Sequence, residues 1–310
     1  MFNIFLFIII TNKLISGLSV MRCTKNDNNI LLNLTSGQVK GYCRFIDNSA
    51  NQFSEHLHAG NVYTFLSVPY AEPPIKNLRF KKTVQKLQWQ NEILDATKWP
   101  KTCIQEQDRN DELFAGFKMW NTNQRTTSLS EDCLYLNIWL PLDAYIDSTS
   151  TNNLVRNKQP ILVFFHGGST TTKGSSSLDV YDPSTFVASK SIIVITVNYR
   201  LGVFGSLYSE ELDLPGNQGI YDQLEALKWI NLNADRFGGD SERITIAGHE
   251  SGASLVAYHL FMKQSWDLFN NLILQSGTPL LKSLAPISKQ EGNRRALQVL
   301  ELAGCGDKNE

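Results

Sequence analysis

RITIAGHESGAS, residues 243 to 254, runs from alternating β-branched and apolar residues through two glycines into helix formers. Gly248 and Gly252 bracket His249, Glu250 and Ser251. That is the frame of the nucleophile elbow G-x-S-x-G, a sharp strand-to-helix turn that lifts its central residue out of the fold. The flanking glycines let neighbouring backbone come close where a Cβ would intrude. Counted in this frame, Glu250 takes the centre and the serine stands one place late, at Ser251. Glycines also punctuate strand-to-helix turns that carry no chemistry, so the reading depends on the surrounding chain.

Working outward, PILVFFHGG (160 to 168), SIIVITVNYR (191 to 200) and NLILQSG (271 to 277) join RITIAG as continuous apolar runs. Such runs suit strands covered by helices on both faces, the mark of a mostly parallel sheet. VYTFLSVPY (62 to 70) and CLYLNIWL (133 to 140) read as earlier strands. YDQLEALKWINLNADRF (221 to 237), which follows the turn residues Pro215, Gly216 and Asn217, has helical spacing and reads as a crossover helix. ASLVAYHLF (253 to 261) reads as a second helix, and the polar stretches 122 to 132 and 147 to 159 read as surface loops. The expected class is α/β, one domain with a mixed, mostly parallel sheet flanked by helices.

The 310 residues, 42% hydrophobic and 19% charged, can bury a large core. A net charge of -1 gives no field to attract nucleic acid, so none is expected as a partner. MFNIFLFIII followed by a polar, small-residue stretch reads as a signal peptide over 1 to 20. A buried strand is the alternative, because no Lys or Arg precedes the apolar run and Lys13 follows it closely. The expected mature domain spans 21 to 310. Export agrees with five cysteines and with Asn33-Leu34-Thr35, an acceptor for N-linked glycosylation. Proximity in sequence pairs Cys23 with Cys43 and Cys103 with Cys133. Cys305 is left over, which leads to the expectation that the domain is C-terminally truncated.

Several further segments sharpen the picture: SVPYAEPP with LRFKK (67 to 82), MWN (119 to 121), SEDCLYLNIW (130 to 139), HGG (166 to 168), SSSLDVYD (175 to 182), VNYRLGVFGSL (197 to 207), PGNQGIYDQLEALKWI (215 to 230), FGGDSERITIAG (237 to 248) and ILQSG (273 to 277). In this order they resemble the cholinesterase and type-B carboxylesterase family over nearly all of residues 30 to 305, which implies the α/β-hydrolase fold. MWN and LDVY are similar to the cholinesterases in particular. The resemblance implies that Trp120 offers its ring face to a quaternary ammonium, a cation–π contact worth about 0.5 to 2 kcal/mol. A half-buried packing tryptophan is the alternative.

The family's GESAG corresponds to GHESG here, so the resemblance implies Glu250 at the nucleophile position and Ser251 as an oxyanion N–H donor. Gly167, Gly168 and Ser169 match the other side of the oxyanion hole, with Ser169 in place of a third glycine. Cys103 and Cys133 match the family disulfide whose loop carries Trp120, and Cys305 matches the first half of a second; Cys23 and Cys43 have no family counterpart. The acyl-pocket tryptophan of the family falls near Leu284.

Acyl transfer needs an alcohol whose proton a histidine takes, with a third group fixing that histidine. A carboxylate is a poor nucleophile toward an ester and adds negative charge beside the developing oxyanion. Ser251 could attack if the turn slipped by one residue, and Glu250 itself could attack as some carboxylates do. His56 and His58 lie in an early polar loop, His166 in the oxyanion loop and His249 beside the elbow, while His259 reads as a buried, hydrogen-bonded core histidine. The family's triad acid and histidine fall beyond Cys305. The reading is therefore an exported, cholinesterase-like protein without esterase activity, acting by binding a choline-ester-like ligand or an extracellular protein. It needs no cofactor and no metal. The alternative is a carboxylic ester hydrolase of acetylcholinesterase or carboxylesterase type whose sequence is incomplete or in error at the elbow.

Overall fold

A computed structural model describes residues 23, 29–47, 59–89, 92–105, 129–149, 157–168, 174–280 and 287–305. The stretch 1 to 20 and residues His56, His58, Trp120, Ser169 and Leu284 lie outside them. The sheet strands are β1 (Ile30–Leu34), β2 (Gly37–Ile46), β3 (Gly60–Pro69), β4 (Ile93–Asp95), β5 (Tyr135–Pro141), β6 (Gln159–Phe165), β7 (Ile193–Val197), β8 (Gly239–His249) and β9 (Asn271–Gln275). The helices are α1 (Leu142–Thr149), α2 (Ser184–Ser189), α3 (Gly202–Ser206), α4 (Gln218–Asn233), α5 (Ser251–Tyr258) and α6 (Lys289–Leu302).

The strands form one sheet in the order β1-β2-β3-β5-β7-β6-β8-β9, with β4 beside β2. Pairing is antiparallel from β1 through β7, and parallel from β7 through β6 and β8 to β9. The four continuous apolar runs are the parallel half. This division has a local cause: β6, β7, β8 and β9 are separated by helical crossovers, whereas the short Thr35-Ser36 turn between β1 and β2 allows only antiparallel return.

On one face, Ile161, Val163 and Phe165 of β6 pack with Ile195 and Val197 of β7, Ile244 and Ile246 of β8, and Leu227 and Ile230 of α4. The other face holds a smaller cluster of Val62, Leu66, Trp139, Val187 and Val194. Among the described residues, coverage of that second face is incomplete. Leu162 and Phe164 are only half-buried and line an open cleft, so β6 is not enclosed on both sides as its apolar run suggests. β9 departs further: it forms the sheet edge, and Ile273 and Leu274 are exposed because, among the described residues, its one strand neighbour is β8.

The crossover helix α4 starts at Gln218, directly after Asn217, and gives way to a 3-10 turn at Ala234–Phe237. Helix α1 runs into the stretch read as a loop from 147 onward. Cys103 is bonded to Cys133 and Cys23 to Cys43. The second bridge closes a short loop at the sheet edge, which stabilises by about 3 kcal/mol through the entropy of the unfolded chain. Cys305 is free and exposed. No helix among the described residues is long and apolar enough to cross a membrane.

Candidate functional site

The site lies where β6, β8 and β9 end together. Beyond β6 the chain turns through His166, Gly167 and Gly168; beyond β8 it turns at Glu250 into α5; beyond β9 it leaves through Ser276 and Gly277. Glu250 sits at the apex with φ 55° and ψ -119°, a conformation in the left-handed half of the map that L-residues rarely adopt. Its backbone is held on both sides. The N–H donates to the Gln275 carbonyl at 2.8 Å, and the carbonyl accepts from the Ser254 N–H at 3.2 Å.

Two glycines make this turn fit. A Cβ on Gly252 would overlap the carbonyl oxygen of His166, and one on Gly167 would overlap that of His249. The elbow and the β6 loop are thus packed backbone against backbone. That is the physical reason for the two glycines, and it brings the Glu250 side chain against the loop.

The Gly168 N–H donates to the Glu250 carboxylate at 3.0 Å. A donor that the resemblance assigns to an oxyanion therefore already has a charged oxygen on it. The Tyr181 phenol lies in the same corner. Its pKa is pushed up to about 12, first by burial and further by the Glu250 charge, while a hydrogen bond from the Gly167 backbone works in the opposite direction. Tyr181 belongs to the quoted SSSLDVYD segment, yet sequence reading gave it no role.

Ser251 is the first residue of α5 and is 7% exposed, and its hydroxyl is buried with no hydrogen-bond partner among the described residues. The exposed side chain at the turn is that of Glu250. An unsatisfied buried hydroxyl costs about 1 to 3 kcal/mol, so Ser251→Ala is expected to stabilise the protein by about 1 kcal/mol. A raised urea midpoint at unchanged slope is the expected result. A lowered midpoint would mean that the hydroxyl has a partner worth keeping.

Two of the described histidines, His166 and His259, are engaged elsewhere. His166 is buried, stacks on the Tyr199 ring at 4.5 Å and places Nδ1 3.0 Å from the Gly167 carbonyl; burial pushes its pKa down to about 4, against that hydrogen bond. His259 follows α5 fully buried, with Nδ1 2.8 Å from the Ser265 hydroxyl and Nε2 3.2 Å from the Gln223 amide oxygen, and burial again holds its pKa near 4. It is the satisfied core histidine that the sequence suggests. His249 lines the cleft together with Leu162, Phe164, Tyr181, Phe186 and Gln275. That cleft, about 450 Å³, lies on the incompletely covered face of the sheet. Among the described residues, no three His, Cys, Asp or Glu side chains are grouped to hold a metal ion.

Sequence reading also missed a buried ion pair that ties the end of β7 to α4. Arg200, just past β7, makes paired hydrogen bonds to Asp222 of α4 at 2.8 Å each, with both side chains almost fully buried. Asp222 also accepts from the Thr83 hydroxyl, and Arg200 donates to the Lys81 carbonyl. Both residues lie inside quoted family segments, but nothing in the linear sequence marks them as partners.

The carboxylesterase family model matches residues 29–310. Similar chains include acetylcholinesterase 4 of Caenorhabditis briggsae, 42% identical over 79% of this chain and 37% of that protein. The acetylcholinesterase of Leptinotarsa decemlineata is 39% identical over 89% of this chain and 42% of its own length. The cholinesterase of Mus musculus is 39% identical over 81% and 39%. The chain thus spans between 37% and 42% of the length of these relatives. A match of that extent, on an α/β sheet whose elbow and facing glycine loop are in place, has one meaning: this chain belongs to the carboxylesterase family, and its similar relatives include cholinesterases.

Proposed function

We propose that this chain is an exported, cholinesterase-like protein that binds its ligand without hydrolysing it. The observation that supports this reading is the Glu250 carboxylate seated on the Gly168 N–H. An ester carbonyl entering the same corner meets an occupied donor, a negative charge and no alcohol to attack it. The remaining chemistry suits recognition: an anionic apex, the Tyr181 phenol beside it, and an adjoining aromatic cleft. These favour a positively charged, choline-ester-like ligand or a basic segment of an extracellular protein.

The test is hydrolysis of choline and aryl esters by the purified chain. Rates equal to those of a heat-inactivated sample are expected. Turnover above that control, blocked by an organophosphate, would reject the proposal. A second reading, a carboxylic ester hydrolase whose residue 250 is a serine, draws on the acetylcholinesterase names of the relatives. Sequencing the transcript through codon 250 separates the two.

A further inference from the structure

Asn33-Leu34-Thr35 is the chain's single Asn-X-Ser/Thr sequence. In the structure it occupies the end of β1 and the turn into β2. Leu32 and Leu34 point into the core, and the alternation of the strand leaves Asn33 exposed on the opposite face. Its Oδ1 accepts from the Gln38 side chain at 2.6 Å, across the hairpin, where the two residues are register partners.

Thr35 is placed differently. Its hydroxyl and its N–H both donate to Asn233 Oδ1, at 3.0 and 2.8 Å, which docks the turn onto the last residue of α4. The hydroxyl that a glycosyltransferase must recognise is therefore committed once the hairpin has docked. β1 is also an open edge: among the described residues it pairs with β2 alone, and its sequence, Ile-Leu-Leu-Asn-Leu, carries neither charge nor proline. Natural sheets block such edges with charge, proline or bulk.

We propose that Asn33 carries an N-linked glycan, added before the β1–β2 hairpin docks on α4, and that this glycan shields the β1 edge. In the transfer, the Asn33 amide nitrogen forms a bond to the anomeric carbon of a lipid-linked glycosyl diphosphate. The carbon–oxygen bond to the diphosphate breaks, the diphosphate leaves, and the amide proton passes to a base of the transferase. The proposal rests on export from the cytosol and is independent of whether the elbow is catalytic.

The full chain is translated with and without microsomes and scored for protease protection and for a mobility shift that endoglycosidase removes. A protected chain with a shift that is lost in Asn33→Gln is expected. A protected chain without the shift overturns the glycan alone, while an unprotected chain overturns export as well. Microsomes added after folding is complete should give no shift, and an equal shift would overturn the stated order. For the shielding, Asn33→Gln is expected to lower the soluble secreted fraction several-fold, and Asn33→Asp, which loses the glycan but adds a charge to the edge, to restore most of it. Equal solubility of the glycosylated chain and Asn33→Gln would overturn that role.

Discussion

Replacing Glu250 with serine leaves the hydrolysis of choline and aryl esters at the rate of a Glu250→Ala control. A serine at the apex inherits the elbow's geometry but, among the described residues, no histidine placed as a base. His166 is buried against Tyr199 and the Gly167 carbonyl, and His259 is closed between Ser265 and Gln223. His249 belongs to the adjoining cleft. Triad members act as a unit, and the absence of one costs on the order of 10⁴ to 10⁶ in rate, so restoring the nucleophile alone recovers little. The substitution does remove the carboxylate from Gly168. Its measurable consequence should be binding of small anions at the vacated N–H without turnover. Ester hydrolysis by Glu250→Ser well above the alanine control would show that a base reaches the apex and would overturn this prediction, leaving Glu250 itself as the block to hydrolysis.

A larger effect on the fold is expected from Asp222→Ala. The Asp222 carboxylate accepts from Arg200 Nε, Nη2 and the backbone N–H, and also from Thr83. Its removal leaves a guanidinium buried without its counter-charge, at a cost of about 3 to 5 kcal/mol. Domains of this kind are stable by about 5 to 15 kcal/mol, so the variant should lose a large part of its margin. Chemical denaturation reads this directly. Replacing Arg200 and Asp222 together with apolar residues of matching volume should cost far less, because both desolvation penalties disappear with the charges. Equal losses in the single and double variants would show that the segments depend on the pair for its geometry rather than for charge compensation.

The parallel half of the sheet was legible because β6, β7, β8 and β9 are long apolar runs separated by helical spacing. The hairpin of β1 and β2 was not. Its inward positions on β2 are Val39, Gly41 and Cys43, and the glycine interrupts the apolar alternation. A Cβ there would strike the Phe65 ring, so the neighbouring strand supplies the bulk that the local sequence lacks. The exposure of β9 was equally hidden, since an apolar run does not say whether anything lies across from it.

At the site, the turn and its occupant could be counted from Gly248 and Gly252. What could not be counted was the reach of the Glu250 side chain to Gly168, a residue far away in sequence. A hydrogen bond across that separation follows only from the ends of β6 and β8 lying side by side. The same holds for Arg200 and Asp222, whose pairing depends on where α4 crosses the sheet.

The positive φ at Glu250 has a wider consequence. Such a conformation costs about 1 to 3 kcal/mol, and here it is enforced by the backbone hydrogen bonds to Gln275 and Ser254 and by the glycine contacts, which reach no further along the side chain at the turn than its Cβ. The scaffold therefore behaves as a rigid pedestal indifferent to its cargo. A fluorophore, a photo-crosslinker or a soft-metal chelator introduced at this one position would be displayed from the same perch in the same orientation, which makes the chain a ready mount for reporting on whatever approaches it.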